Sequence, residues 1–302
     1  MNTNDRMKTN DRMKTTPDTV PVTVPITVII PTLNRRPLLN RALRSVLAQT
    51  VLPQEIIVID DGSTDGTRAM LQADFPQVIY HYQDNQGVSA ARNKGISQAN
   101  YAWIAFLDSD DEWLPNKLAS QWQELHHNPR HLLCHTEEIW IRRGRRVNAM
   151  NKHQKTGGNI YDKCLPLCAI SPSSVIIHRD LFEQVGLFDE TLPACEDYDM
   201  WLRICNQHEV LFLDTPQIVK YGGHEDQLSR RYWGMDRFRI QALLKMLNEA
   251  TLSETNYHLT VAMLKEKCAI YIQGALKRGK QAEAAYYQQI MDSFSTRHAV
   301  QF

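Results

Sequence analysis

Two acidic groupings carry the side chains best suited to chemistry: Asp108-Ser109-Asp110-Asp111-Glu112 and Glu196-Asp197. Several carboxylates at one point repel each other and lose hydration, so something positive must offset the cost. The simplest agent is a divalent cation with oxygen ligands, Mn²⁺ or Mg²⁺. Asp-x-Asp suits this, because positions i and i+2 of an extended segment point the same way. Such an ion would also grip the phosphates of a nucleotide. Taken alone, Asp-x-Asp is explained more simply by a solvated acidic loop with a helix cap at Asp110 or Asp111. Glu196 and Asp197 open a helical stretch, where acids stabilise the positive end by about 0.3–1 kcal/mol.

The elements around these acids decide between such readings. Ala102–Leu107 is a bulky apolar run, which reads as a buried strand of a parallel sheet ending in the first acidic grouping. Strands are likewise expected at 26–30, 55–59 and 78–82, and helices from Pro37, over 64–73 with Ser63 or Thr64 as cap, over 87–98 and over 115–126. This strand–helix alternation predicts an α/β fold with a mostly parallel sheet. Three strands end in polar or acidic residues, at Thr32/Asn34, Asp60/Asp61 and Asp108/Asp110, as a ligand crevice at the carboxyl edge requires. Neither Gly-x-Gly-x-x-Gly after the first strand nor a P-loop is present.

The second half is less regular. A hairpin is expected from 131–141 and 147–150 over the basic turn Arg142–Arg146, which reads as a solvated tip or a contact for an anionic acceptor or lipid. A strand over 173–178, a helix over 179–185, a turn at 186–189 and short strands at 210–213 and 218–221 follow. Past Trp233 the pattern gives two or three amphipathic helices, one with the apolar face Ile240, Leu243, Leu244 and Leu247.

Composition narrows the class. Lys plus Arg equals Asp plus Glu, 34 each, so no electrostatic case for nucleic acid exists. No apolar run approaches the about 18 residues of a membrane span, and the start lacks an apolar signal core. A cytoplasmic protein is expected, with peripheral contact at the inner membrane face left open. The six cysteines form no CxxC pair and read as free thiols. His126, His127, His131, Cys134 and His135 cluster but match no zinc spacing. Residues 1–24, with Asn4–Thr9 repeated as Asn10–Thr15, read as a disordered tail.

In order and spacing, several segments resemble the family-2 glycosyltransferases. They are Pro31–Arg35, Ile59–Asp65, Gly87–Gly95, Phe106–Trp113, Gly186–Glu190 and Glu196–Arg203. The resemblance implies a GT-A fold, a Rossmann-like nucleotide-diphospho-sugar transferase, over 25–230, with 231–302 as a helical extension. It implies that Pro31, Thr32, Asn34, Arg35, Asp60, Asp61, Arg92 and Asp108 bind the nucleotide. Asp61 would accept from a base N–H, since a carboxylate only accepts. It implies Asp110 and His224 as metal ligands and Asp197, then Glu196, as the base of an inverting single displacement. The donor would be a UDP-sugar, the acceptor a glycan or lipid-linked hydroxyl in surface glycan or polysaccharide synthesis. For Arg92 a surface ion pair, for Asp60-Asp61-Gly62 a tight turn, and for Asp199/Arg203 a helical ion pair are the plainer roles. Two other functions fit less well: a GT-A-like module that binds without transferring, and a nucleotidyltransferase, whose basic Gly-rich loop is missing.

Overall fold

The computed structural model describes residues 23–148, 154–223 and 232–296. Its first half alternates β1 (Thr23–Thr32), α1 (Arg36–Leu47), β2 (Leu52–Asp60), α2 (Thr67–Asp74), β3 (Ile79–Tyr82), α3 (Val88–Gln98) and β4 (Trp103–Phe106). The strands lie in the order β3-β2-β1-β4 and all pair parallel, so their carboxyl ends share one edge. Register places Thr32 beside Asp60 and Ile29 beside Phe106. Both faces are covered, which is why β1 is apolar without alternation. Val28 and Ile30 pack with Leu39, Leu43 and Val46 of α1, and Ile29 packs with Ala91 of α3. A Cβ on Gly95 would stand 2.4 Å from Ile29 Cγ2, so α3 seats against β1 at a distance only glycine allows.

The second half adds β5 (Glu112–Trp113), α4 (Lys117–His127), β6 (Leu133–Arg142), β7 (Arg145–Val147), α5 (Tyr161–Cys164), β8 (Ile176–His178), α6 (Asp180–Val185), α7 (Glu196–Cys205) and β9 (Leu211–Gly222). Here the sheet turns mixed: β8 is antiparallel to β4 and β6, β9 is parallel to β6, and β5 is antiparallel to β9. Two reversals leave β6 and β9 running in the direction of β4. Helices Asp236–Glu249, Glu254–Leu276 and Gln281–Thr296 follow, and Leu243, Leu264 and Phe294 join the core that holds Ile29, Phe106 and the fully buried Trp201.

Several expectations need correction. The second helix begins at Thr67 behind left-handed Gly66, without a Ser63 or Thr64 cap. Both residues are drawn to Asn34 instead: Asn34 N donates to Ser63 Oγ at 2.8 Å, and Thr64 N donates to Asn34 Oδ1 at 2.7 Å. Only Ile176–His178 of the expected 173–178 strand pairs in the sheet. Pro172–Ser174 is a 3₁₀ turn closed by Val175 N donating to Pro172 O at 3.2 Å, and Ser173 Oγ within it donates to Asp111 Oδ2 at 2.7 Å. The strands expected at 210–213 and 218–221 are one strand, with register shifts opposite Thr136–Glu138 that accommodate Pro216. No helix is capped by Asp110 or Asp111, since α4 starts at Lys117. The expected tail lies outside the described residues except Thr23 and Val24, which already belong to β1. Among the described residues no helix is long and apolar enough to cross a membrane. All six cysteines are free.

Candidate active site

Four loops meet at the carboxyl edge, and side chains tie them together. The loops after β1 and β2 are pinned through Asn34, held at φ 51, and through Arg36 N, which donates to Asp65 Oδ2 at 2.8 Å. Asp61 N donates to Thr32 O at 2.9 Å. Asp60 accepts from Ser63 N at 2.8 Å and from Tyr80 OH at 2.9 Å. Asp61 accepts from Gln83 Nε2 at 2.7 Å and from Gln86 N and Gly87 N at 2.9 Å each. Its carboxylate therefore sits at the amino end of α3, where the helix favours negative charge. A carboxylate has about four acceptor positions, so three are taken and one is left for a ligand donor.

The loop after β4 is compensated from within the chain. Arg92, 3% exposed, contacts Asp108 Oδ1 at 2.8 Å and Glu196 Oε1 at 2.7 Å. Burial opposes the charge of the Arg92 guanidinium, but Asp108 and Glu196 outweigh it and hold its pKa above the ordinary value. Arg35 Nη1 lies 2.8 Å from Asp110 Oδ2, and Arg41 Nη2 donates to Asp110 O at 2.5 Å. Asp111, 2% exposed, accepts from Ser173 Oγ and from Tyr221 N at 3.2 Å. Burial raises its carboxyl well above the usual range against the pull of Lys220, with Asp110 and Asp108 adding to the rise. The offset expected from a metal alone is thus supplied in part by arginines and a lysine.

The second acidic grouping starts α7, behind Cys195 in a left-handed conformation at φ 64. Burial, reinforced by Asp197, raises the Glu196 carboxyl, and Arg92 opposes that rise. Asp197 Oδ2 accepts from the Cys168 thiol at 3.0 Å, and Oδ1 accepts from Tyr198 N at 2.7 Å. Burial and then Asp197 push the Cys168 thiol well above its usual pKa, which keeps it a donor. Asp199 and Arg203 pair at 2.7 Å inside the fold, and Arg203 also donates to Gly186 O at 3.1 Å and Leu187 O at 2.9 Å.

Asp108 and Asp110 offer the hard oxygen donors that Mg²⁺ and Mn²⁺ take, and such ions are completed by water and substrate phosphates. The donor set therefore fits. The Thr32 and Ser89 hydroxyls, at the end of β1 and in the first turn of α3, are buried without partners, as groups awaiting a ligand would be. His224, Arg230 and Arg231 lie outside the described residues, and among those described no three His, Cys, Asp or Glu side chains converge on one point.

Some site residues gave no usable signal. Asn93 binds the turn after α6 in both directions, donating to Phe188 O at 2.9 Å and accepting from Phe188 N at 3.0 Å. It lies inside the Gly87–Gly95 motif, so the motif marks it without giving its role. Cys168, Ser173 and Lys220 are separated in sequence from every acid they touch, and no spacing rule reaches them.

The α/β architecture, with its shared carboxyl edge and C-terminal helices, is that of GT-A glycosyltransferases. It superposes on S. aureus TarS (residues 1–349 with UDP-GlcNAc) with TM-score 0.64 at 16% identity, covering 89% of this chain and 91% of that one. Pyrobaculum calidifontis mannosyltransferase PcManGT, in complex with GDP-Man and Mn²⁺, gives TM-score 0.55 at 18% identity over 91% of this chain and 86% of that one. The sequence model for glycosyl transferase family 2 matches residues 27–186, and the chain belongs to that family. An uncharacterized glycosyltransferase of Rickettsia bellii is 30% identical over 210 residues, 67% of this chain but 30% of the relative's own length. Escherichia coli WfgD, a UDP-Glc:α-D-GlcNAc-diphosphoundecaprenol β-1,3-glucosyltransferase, is 31% identical over 60% of this chain and 70% of its own length.

Proposed function

We propose that the chain is a metal-dependent inverting glycosyltransferase, moving a sugar from a UDP-linked donor to an acceptor hydroxyl in surface glycan synthesis. The transferase unit starts with β1 at Thr23 and runs to about residue 230, and the helices from Asp236 to Thr296 form an extension. The observation that carries this reading is Arg92. One buried guanidinium spans Asp108 and Glu196, so the loop suited to a diphosphate and the helix start suited to an acceptor are one side chain apart. TarS, seen with UDP-GlcNAc, and WfgD, named for UDP-Glc, support the donor class, whereas PcManGT is seen with GDP-Man.

In this reading Thr32, Asn34, Arg35 and Asp61 hold the base and ribose, and the one remaining acceptor position of Asp61 takes a base N–H. Asp110 and Asp108 would hold Mn²⁺ or Mg²⁺, which would supply Lewis-acid relief to the departing diphosphate. Arg35 neutralises Asp110 until the donor arrives. Asp197 takes the acceptor's proton, because a hydroxyl is a weak nucleophile. The Cys168 thiol and the Tyr198 amide fix its two oxygens. Glu196, engaged by Arg92, positions rather than reacts. Attack opposite the leaving diphosphate inverts the anomeric centre.

A screen of nucleotide sugars for Mn²⁺-dependent hydrolysis tests this. UDP release from one UDP-sugar is expected, and Asp110→Ala should weaken Mn²⁺-linked UDP binding by about 100-fold. Binding of UDP without release from any donor would leave only a binding module. Unchanged affinity in Asp110→Ala would move the metal elsewhere.

A further inference from the structure

The β6–β7 hairpin carries Arg142, Arg143, Arg145 and Arg146 around Gly144, all exposed. Its two turn residues are left-handed, with φ 49 at Arg143 and 72 at Gly144, which is the tight two-residue turn that suits strand twist. Arg142 faces Arg145 across the turn. None of the four has a carboxylate partner among the described residues. Arg142 lies 5.2 Å from the Trp140 ring centre. In a chain whose 34 cations match 34 anions, four guanidiniums on one tip, uncompensated among the described residues, are a local excess.

The sheet topology says where that tip points. β6 runs in the direction of β4, through two antiparallel pairings with β8. Cys134 and Ala105 both pair with Ile176, so they stand level. From that level β6 extends to Arg142, roughly 25 Å of strand at about 3.3 Å per residue. The tip therefore projects beyond the edge where Asp108 and Asp110 sit. It is braced against β9, with Arg143 N donating to Gly222 O at 3.3 Å. The same strands hold Glu138 and Lys220, whose ammonium is lowered by burial but raised beyond its ordinary value by Glu138, Asp111 and Asp108.

A protruding convex tip cannot enclose a small anion, and a single tip gives no stripe to follow a nucleic acid backbone. It can meet a flat anionic surface with all four charges. We propose that the arginine hairpin docks on a membrane surface rich in anionic phospholipid, turning the acidic edge of the sheet toward the headgroups. Arginines on β7 would otherwise only guard a sheet edge against pairing.

Sedimentation of the full chain with phosphatidylglycerol–phosphatidylcholine vesicles tests this, since each basic residue near such a surface adds to binding. Binding to these vesicles, absence of binding to pure phosphatidylcholine, and release at high salt are expected. Replacing all four arginines by Gln should lower partitioning by roughly 1,000-fold while the melting curve and hydrolysis of a soluble donor stay as in the parent. Equal binding to neutral vesicles, no binding to anionic ones, or undiminished binding of the variant would overturn the proposal. Displacement by millimolar inorganic phosphate at constant ionic strength would overturn it too, in favour of a small-anion site. The vesicle readout does not depend on any transfer activity, so its failure leaves the transferase reading standing.

Discussion

The acids of the loop after β4 and those at the start of α7 are held differently. In the first group Asp108 and Asp110 each meet an arginine at 2.8 Å, and Glu112 receives the Tyr221 hydroxyl. In the second, Glu196 and Asp199 likewise have arginines at 2.7 Å. Asp197 has no ion pair among the described residues, only a thiol and its neighbour's amide. Asp111 has none either, but it is buried between the Ser173 hydroxyl and the Tyr221 amide. An acid clamped by a guanidinium is tied by strong charge-assisted bonds. An acid held by weak donors keeps lone pairs for a substrate proton. The contrast separates acids that build the site from the one suited to act in it.

The largest way to break that contrast is Arg92→Leu. It strands Asp108 and the buried Glu196, and a loss of about 3–5 kcal/mol is expected in urea unfolding. Arg92→Lys should recover little, because an ammonium lacks the fork that spans two carboxylates. A loss under 1 kcal/mol would mean the arginine does not hold the acids.

A smaller effect comes from the converse case, a buried cation with no carboxylate among the described residues. Lys117 is 0% exposed, with Nζ 3.4 Å from Val175 O and 4.2 Å from the Trp113 ring centre. Burial pushes it down to about 7 from 10.5. Between those values the unfolded chain binds more protons than the folded one, so this group makes stability rise with pH across that window and is flat below it. Lys117→Met should flatten the rise and stabilise the protein at pH 7 by roughly 1–3 kcal/mol in urea melts at pH 7 and pH 9.5. A steeper rise would contradict the assignment.

The smallest expected effect is at the thiol. Cys168→Ala should lower kcat a few-fold, the worth of about one hydrogen bond, with KM for the donor unchanged. Cys168→Ser should restore it. A change confined to KM would place the thiol outside the acceptor side.

What could be read from sequence follows the same division. β1 to β4 are consecutive and parallel, and β1, β2 and β4 are apolar on both faces, so Ile26–Ile30 and Ala102–Leu107 announce themselves. Their polar ends, Thr32, Asp61 and Asp108, fall on one edge by topology alone. The second half pairs β4 with β8 and β6 with β9 across long separations. A strand with Pro216 and two register shifts therefore reads as two pieces. The need for a counter-charge at Asp108–Asp111 was legible from the acids themselves. That Arg35, Arg92 and Lys220 would supply part of it was not, because a long basic side chain reaches its partner through tertiary packing that spacing does not encode. The resemblance ranks Asp197 ahead of Glu196 as the base, and the Arg92 contact that engages Glu196 is a physical feature no spacing could supply for that order.

The most direct measurement pairs calorimetric Mn²⁺–UDP binding with single-turnover sugar transfer for Asp197→Asn. Unaltered UDP affinity and melting temperature, with transfer reduced by roughly 10²–10⁴-fold, is the predicted result. Transfer at the parent rate would contradict the assignment of Asp197 as the proton acceptor, and with it the distinction between the two acidic groups.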